Sequence, residues 1–293
     1  PAQDANGEDI IKYARTMQYE YDDAAHRQIT SAEETSTRNS ITRVNRRFAY
    51  TYDALGNLLK KGKAHYYDYE HVYQYSNENI NYAYGQADKP HQVTALSGAM
   101  SRTYAYDDNG NINTDGQRTL VHNVINKPTS ITQGSDTTTY VYGPNYERLY
   151  RKDELASGTT ETWNIFGGML EITKEGNNTD KKYYVGGNTV VVVNTATSVF
   201  YNVHNQIGSV VLRINQAGVV LQRYRYDPFG QQETIYNAVA IGSVSMPVFN
   251  DFNGHVDKKG FTGPDHISHM NLIHMGGRVY DPTIGRFMEA DIV

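Results

Sequence analysis

Residues 276–293, GGRVYDPTIGRFMEADIV, gather three carboxylates (Asp281, Glu289, Asp291) and two arginines (Arg278, Arg286) around a Tyr-Asp pair and a glycine, Gly285. Two carboxylates do acid–base chemistry when they share one proton and a nearby guanidinium keeps the ionised partner charged near neutral pH. A scaffold uses the same residues differently. An Asp ahead of Pro and Gly accepts hydrogen bonds from the backbone N–H groups just beyond it, and so starts a turn. Asp281-Pro282 stands in the same turn position as Asp227-Pro228, and backbone capping is the stronger expectation for Asp281. Arg278, Arg286 and Asp291 fall outside that frame. For Arg278 the plain alternative is a strand arginine paired with Asp281 or Glu289; for Asp291 it is a surface carboxylate near a chain end.

Other constellations are weaker. His255, His266, His269 and His274 invite a metal reading, and His266 and His269 would share a face on a helix. No Cys or carboxylate pattern completes a tetrahedral set, so neither a metal nor a cofactor is expected. The tyrosines at 66, 67, 69, 73, 75, 82 and 84 could stack on sugar rings. Cross-strand tyrosine pairs, worth a few tenths of a kcal/mol to about 1 kcal/mol each, are the stronger expectation. Glu161 and Glu171 flank a strand with no cleft expected between them, a poor setting for glycoside hydrolysis. The Gly-Gly pairs at 167–168, 186–187 and 276–277 lack the strand–loop–helix context of phosphate binding.

The elements that would position these residues are legible as a degenerate repeat. Tyr-Asp recurs at 21–22, 52–53, 67–68, 106–107, 226–227 and 280–281. FAYTYDALGNLLKKG (48–62) aligns with RTYAYDDNGNINTDG (102–116), and RYRYDPFGQQ (223–232) shares its centre with RVYDPTIGRF (278–287). In one copy, Phe48, Tyr50 and Tyr52 are two apart and fall on one face of a strand. Asp53 then starts a turn, Gly56 takes the positive φ that closes it, and Leu58 begins the return strand. The same roles go to Tyr106, Asp107 and Gly110, to Tyr226 and Asp227, and to Tyr280, Asp281, Gly285 and Arg286. A lone hairpin is marginal in water, so copies must pair side by side. The fold class is therefore all-β: repeated antiparallel β-hairpins in a long sheet over 1–230, an irregular connection over 231–262, and a distinct strip over 263–293. The one candidate helix lies at the start, where Ile10, Tyr13, Ala14 and Met17 have helical spacing.

Composition agrees. Hydrophobic residues make up 39% of the 293, but 25 of them are Tyr, which suits thin sheets with two wetted faces better than a thick aliphatic core. With 27 basic against 32 acidic side chains the net charge is −5, and no basic run offers a nucleic-acid footprint. No Cys is present for a disulfide framework, and no stretch approaches the roughly 18 apolar residues of a membrane span.

YTYDALGNL and YAYDDNGNI resemble the YD repeat. YNVHNQIGSVVLRINQAGVVLQRYRYDPFGQ (201–231) and GFTGPDHISHMNLIHMGGRVYDPTIGRFMEAD (260–291) are similar to the end of bacterial RHS proteins and to their repeat-associated core. The resemblance implies a spiralling β-sheet shell that encloses the C-terminal toxin domain of the same polypeptide, with the end strip as plug and its LIHM histidine packed inside. It implies partners such as a secretion apparatus or a Tc B-type shell component, and a bacterial protein made in the cytoplasm and then secreted or translocated. It also implies an aspartyl autoprotease built from an Arg before the Tyr-Asp, an Asp soon after Gly-Arg-Phe, and a second Asp in a downstream Asp-Pro-x-Gly-Leu segment. By position these are Arg278 and Asp291; the second Asp is not in the sequence, and Ile292 stands where the family has Pro. The chain by itself is then expected to hold half a protease and to cleave nothing. The competing expectation is a cell-surface adhesion or carbohydrate-binding module, as in the related animal teneurins; a stand-alone hydrolase comes third.

Overall fold

The computed structural model describes residues 13–22, 27–38, 41–69, 72–85, 87–218, 220–234 and 257–290. The chain falls into two units, residues 1–104 and 105–293.

The first unit is one antiparallel sheet whose seven strands lie in sequence order. They are β1 (Tyr13–Tyr21), β2 (Ile29–Arg38), β3 (Ile41–Tyr52), β4 (Leu58–Tyr69), β5 (Val72–Tyr84), β6 (Val93–Gly98) and β7 (Arg102–Thr103). Alternation decides which face is covered: Phe48 and Tyr50 are buried while Ala49 and Thr51 are exposed. A buried ion pair, Glu34 with Arg46, joins directly opposed residues of β2 and β3.

The helix expected at the start is a strand. Tyr13, Ala14 and Met17 belong to β1 and pair residue by residue with β2, Tyr13 opposite Arg38 and Met17 opposite Glu34. Ile10 lies outside the described residues. Helical spacing of four apolar residues is a weak signal beside three tyrosines (13, 19, 21) and Thr16, which suit a pleated surface, and beside a neighbouring strand edge that needs a partner.

The second unit carries fourteen strands in sequence order: β8 (Ala105–Tyr106), β9 (Ile112–Thr114), β10 (Arg118–His122), β11 (Pro128–Gln133), β12 (Asp136–Tyr142), β13 (Arg148–Leu155), β14 (Gly158–Ile165), β15 (Leu170–Glu175), β16 (Asn178–Val185), β17 (Thr189–Val193), β18 (Thr197–His204), β19 (Val210–Asn215), β20 (Val220–Tyr226) and β21 (Gln232–Thr234). We call this sheet the wall. Regular pairing runs past residue 230, since Gln232 and Thr234 oppose Tyr226 and Tyr224. These residues, QET, are polar throughout, so no apolar alternation marks the strand in the sequence. A separate four-stranded sheet, the strip, follows: β22 (Asp265–Ile267), β23 (Leu272–Met275), β24 (Arg278–Asp281) and β25 (Arg286–Phe287), with a short 3-10 turn, Ser268–Met270, between the first two.

The strip brings its own set of buried apolar side chains. Ile267, Leu272, Ile273, Val279, Ile284 and Met288 are all at most 1% exposed. A second apolar cluster, Val190, Val192, Phe200 and Leu221 with Tyr184 against it, lies within the wall.

Candidate functional site

The Tyr-Asp turn is one bond pattern used many times. In residues 53–57, Asp53 N–H donates to Asn57 O (3.0 Å) and Gly56 N–H to Asp53 O (3.0 Å). One Asp53 carboxylate oxygen accepts the N–H groups of Leu55 (2.9 Å) and Asn57 (2.8 Å). Asp107 does the same for Asn109 (3.0 Å) and Asn111 (2.9 Å), and Asp227 for Phe229 (2.9 Å) and Gln231 (2.8 Å). Asn123 and Asn205 copy the pattern with an amide oxygen, and residues 143–147 copy its backbone bonds. The fourth position takes positive φ, supplied by Gly56, Gly110, Gly208 and Gly230, but also by Asn126 and Tyr146.

The tyrosine has its own task. Tyr52 OH donates to Ile29 O (2.9 Å), Tyr84 OH to Leu58 O (3.0 Å), Tyr142 OH to Pro128 O (2.9 Å) and Tyr226 OH to Val210 O (2.9 Å). Each acceptor is the first residue of an earlier return strand, so each tyrosine ties its turn to the one before it. Tyr and Asp are thus both structural: Asp caps its own turn, Tyr sets the spacing between turns.

Asp281 is a turn former and something more. Its Oδ1 accepts Thr283 N–H (2.9 Å), and its backbone oxygen accepts Gly285 N–H (2.9 Å), which makes this turn one residue longer than that at Asp227. Its other oxygen forms a buried ion pair with Arg118 of the wall, whose guanidinium also binds Asp115 and donates to Met270 O (3.0 Å). The partner of Asp281 is therefore a residue 163 positions upstream.

Such pairs recur along the seat. Asp265 lies between Arg148 of the wall and Lys259 (2.9 Å). Burial alone would raise its pKa, but the two cations outweigh burial and hold it well below the usual carboxylate range. Asp257 accepts from Arg213 (3.2 Å), Asn202 (3.0 Å) and Tyr184 (2.8 Å). Lys258 reaches Asp153 (3.1 Å), which also pairs with Arg151 (2.8 Å) and, burial notwithstanding, is held down to about 2. Glu289 lies 3.4 Å from His122 and accepts Val279 N–H (2.7 Å); burial is the larger influence and raises its pKa. Acids at the ends of the strip thus meet cations of the wall. The wall's buried cations at 118, 151, 182 and 213 sit on every third strand, 33, 31 and 31 residues apart.

The histidines complete the seat. Thr138 donates to Asp153 (2.8 Å), so His269 Nε2–H donates to Thr138 (2.9 Å). Tyr142 donates to Pro128 O, so His274 Nε2–H donates to Tyr142 OH (3.0 Å). His266 Nε2 accepts Phe261 N–H (2.9 Å). Burial pushes His266 down to about 4 and His274 down to about 3, with Arg148 adding to the latter. These rings are therefore neutral hydrogen-bonding wedges between strip and wall; His255 lies outside the described residues.

Arg278 is half-buried, with its guanidinium 3.9 Å from the centre of the Phe287 ring, a cation–π contact across β24 and β25. Asp291 lies outside the described residues, so no distance joins it to Arg278. Glu161 and Glu171 point to opposite faces of the wall, Glu161 accepting Tyr150 OH (2.6 Å) and Glu171 a buried bond from Lys182 (2.9 Å). Of the tyrosine row, the described side chains are Tyr82, which is buried, and Tyr84, which tethers. Sequence reasoning missed Arg118, His122, Arg148, Arg151, Lys182 and Arg213. The faint signal for them was the spacing near 31, hidden because strand alternation alone does not tell a buried cation from an exposed one.

The second unit is thus a sheet of Tyr-Asp-type hairpins with a separate strip seated on it by buried charge. Residues 170–293 match the teneurin YD-shell family. The tRNA3(Ser)-specific nuclease WapA of Bacillus spizizenii is 22% identical over 254 residues, 83% of this chain and 9% of that protein. The solved TcdB2-TccC3-Cdc42 complex superposes with a TM-score of 0.56 and 15% identity, over 99% of this chain and 18% of that one. The Photorhabdus luminescens Tc holotoxin pore gives 0.54 and 16%, over 99% of this chain and 17% of that one. Residues 170–293 are thus similar in sequence to a YD-shell, and the antiparallel-sheet fold is similar to that of the Tc complexes. The chain spans less than a fifth of these relatives.

Proposed function

We propose that this chain is part of the shell of a bacterial toxin, enclosing a toxic domain of a longer polypeptide, and that the strip is a plug contributing Arg278 and Asp291 to an aspartyl autocleavage site. The observation that carries the reading is the seat: acids at 257, 265, 281 and 289 meet wall cations or His122 in buried contacts. A strip held this way closes part of a structure rather than presenting a binding face. Likeness to WapA and to the Tc complexes supports the toxin context. The enclosed partner is the downstream domain; a Tc B-type component or a secretion apparatus would complete delivery, and the whole would act after secretion or translocation.

Arg278 would hold one carboxylate ionised while a second, protonated acid polarises the scissile carbonyl. The test is a polypeptide continuing through its native downstream sequence. It should split spontaneously, keep both fragments together through gel filtration, and shield the downstream fragment from added protease. Asp291→Asn should leave it whole. Glycan binding without cargo retention would instead identify an adhesion module.

A further inference from the structure

The two faces of the wall carry the reverse of the usual chemistry. The side facing the strip holds buried Arg151, Thr162, Glu171 and Lys182. Alternation turns their neighbours to the other side. There Val141, Tyr150, Trp163 and Ile172 stand opposite one another across β12 to β15. A second row, Ile165, Leu170, Tyr183, Val191 and Val199, crosses β14 to β18. Tyr201 with Ile214, and Val203 with Leu212, carry the apolar surface on to β19. None of these side chains is buried, and Val141, Tyr183 and Val203 are exposed. Phe166 and Met169, exposed in the turn after β14, extend the face past the strand ends. A sheet face that meets water is ordinarily polar, and a contiguous apolar one marks an interaction surface.

We propose that this face packs on the same face of a second copy of the chain, giving a two-fold dimer with the walls back to back and the strips turned outward. Size is the first argument. Strands about 4.8 Å apart, with apolar residues about 6.6 Å apart along each, make a face of roughly 500 Å² across β12–β19. The turn side chains bring it towards the roughly 800 Å² that each partner buries in a standard interface. Shape is the second, since two like sheets stack about 10 Å apart with their rows interdigitated. Charge is the third. Lys152, Glu161 and Lys174 form one cross-strand row at the border of the face, so both signs are present and a like copy is not repelled. A strongly charged partner would find nothing there to recognise. Trp163, the one tryptophan of the sequence, lies within the face with its ring 5.3 Å from that of Tyr150, and it reports on whatever covers them.

The experiment follows sedimentation and tryptophan emission of the whole chain across the micromolar range. Wild type should pass from monomer to a closed dimer as concentration rises, and Trp163 emission should shift to shorter wavelength in step with the dimer fraction. Tyr183→Lys and Val203→Lys each bring a charge into the face and should weaken association about 100-fold or more. Circular dichroism and urea unfolding check that each variant is folded, and the two sites guard against loss of fold in one. Val124→Lys, at an exposed turn tip between β10 and β11 and outside the face, should dimerise as wild type does. A chain that stays monomeric, or that associates without closing at two copies, would overturn the proposal. So would dimers with unchanged Trp163 emission, which pairing through bare strand edges would give. Undiminished dimerisation by the folded Lys variants, or equal loss in Val124→Lys, would overturn it too. Monomers whose emission shifts only with added phosphatidylcholine vesicles would assign the face to lipid and end the dimer.

Discussion

Acid should loosen the strip well before it unfolds an ordinary domain, because buried neutral histidines hold it. His266 and His274 are at most 8% exposed and protonate near 4 and near 3, against 6.5 for a free imidazole. Between those limits the unfolded chain binds more protons than the folded one, so stability falls as pH drops from 6.5 towards 4. One pKa unit is about 1.4 kcal/mol, so each ring contributes about 2 kcal/mol of loss by pH 5, and the pair about 6 kcal/mol by pH 4. Whole domains hold about 5–15 kcal/mol, so the loss is a large share. His269 is also pushed down by burial and adds in the same direction. Arg148 and Arg151 push His274 the same way as burial, while other acids of the seat oppose the trend or act only at lower pH. Glu289, with its raised pKa, takes up a proton more readily when folded and works the other way. Asp153 and Asp265, held low, lose their contribution only as pH falls below the ordinary carboxylate value. The assay is urea unfolding at pH 7, 6 and 5, with the imidazole C2 protons followed by NMR. His274→Phe should cost stability at pH 7, through its lost bond to Tyr142, yet flatten the pH dependence by about 1.4 kcal/mol per unit between pH 6 and 4. A His274 resonance that titrates near 6.5, or an unchanged slope in the variant, would refute the reasoning.

Other perturbations test other parts. Arg118→Ala removes the guanidinium between buried Asp115 and Asp281 and should destabilise the second unit by about 3–5 kcal/mol in urea. Tyr226→Phe removes the bond to Val210 O and should cost about 1 kcal/mol. Tyr146 sits at φ 64°, a conformation that disfavours a side chain, so Tyr146→Gly should stabilise by about 0.5–1 kcal/mol; a loss would mean its contact with Lys127 dominates. Gly285→Ala meets both a positive φ of 68° and Phe229 at 2.7 Å, and should shift the melting midpoint down by several degrees.

The fold was legible because its units are local. Asp53 and Gly56, or Asp107 and Gly110, announce a turn within five residues, and Phe48, Tyr50 and Tyr52 announce a strand face by their spacing. The terminal segment misled because Tyr13, Ala14 and Met17 fit a helical spacing while Tyr13, Met17, Tyr19 and Tyr21 fit a strand face, and pairing with β2 chose between them. The seat was not legible. Arg118 and Asp281 are far apart in sequence, and each alone reads as an ordinary polar residue. Asp281 showed its cap and hid its ion pair, since a carboxylate has two oxygens and the turn uses one. The tether of Tyr142 to Pro128 likewise depends on the register of two hairpins, which no single copy encodes.

A strip seated on a wall by charge answers a problem that repetition creates. The wall reuses one turn pattern, with a capping Asp or Asn at 107, 123, 205 and 227 and tethering tyrosines at 142 and 226, so a strip docked by apolar contact alone could slide from one repeat to the next. Buried ion pairs forbid that, because a strip displaced by one hairpin would leave Asp265 and Asp281 facing positions without Arg148 and Arg118, and unpaired buried charge is among the costliest errors a fold can make. The wall's cations fall on every third strand while its turns recur every second. The two periods coincide only every sixth strand. The charge pattern therefore singles out one register where the turn pattern permits several, and the residues that carry the specificity are those that the repeat itself does not predict.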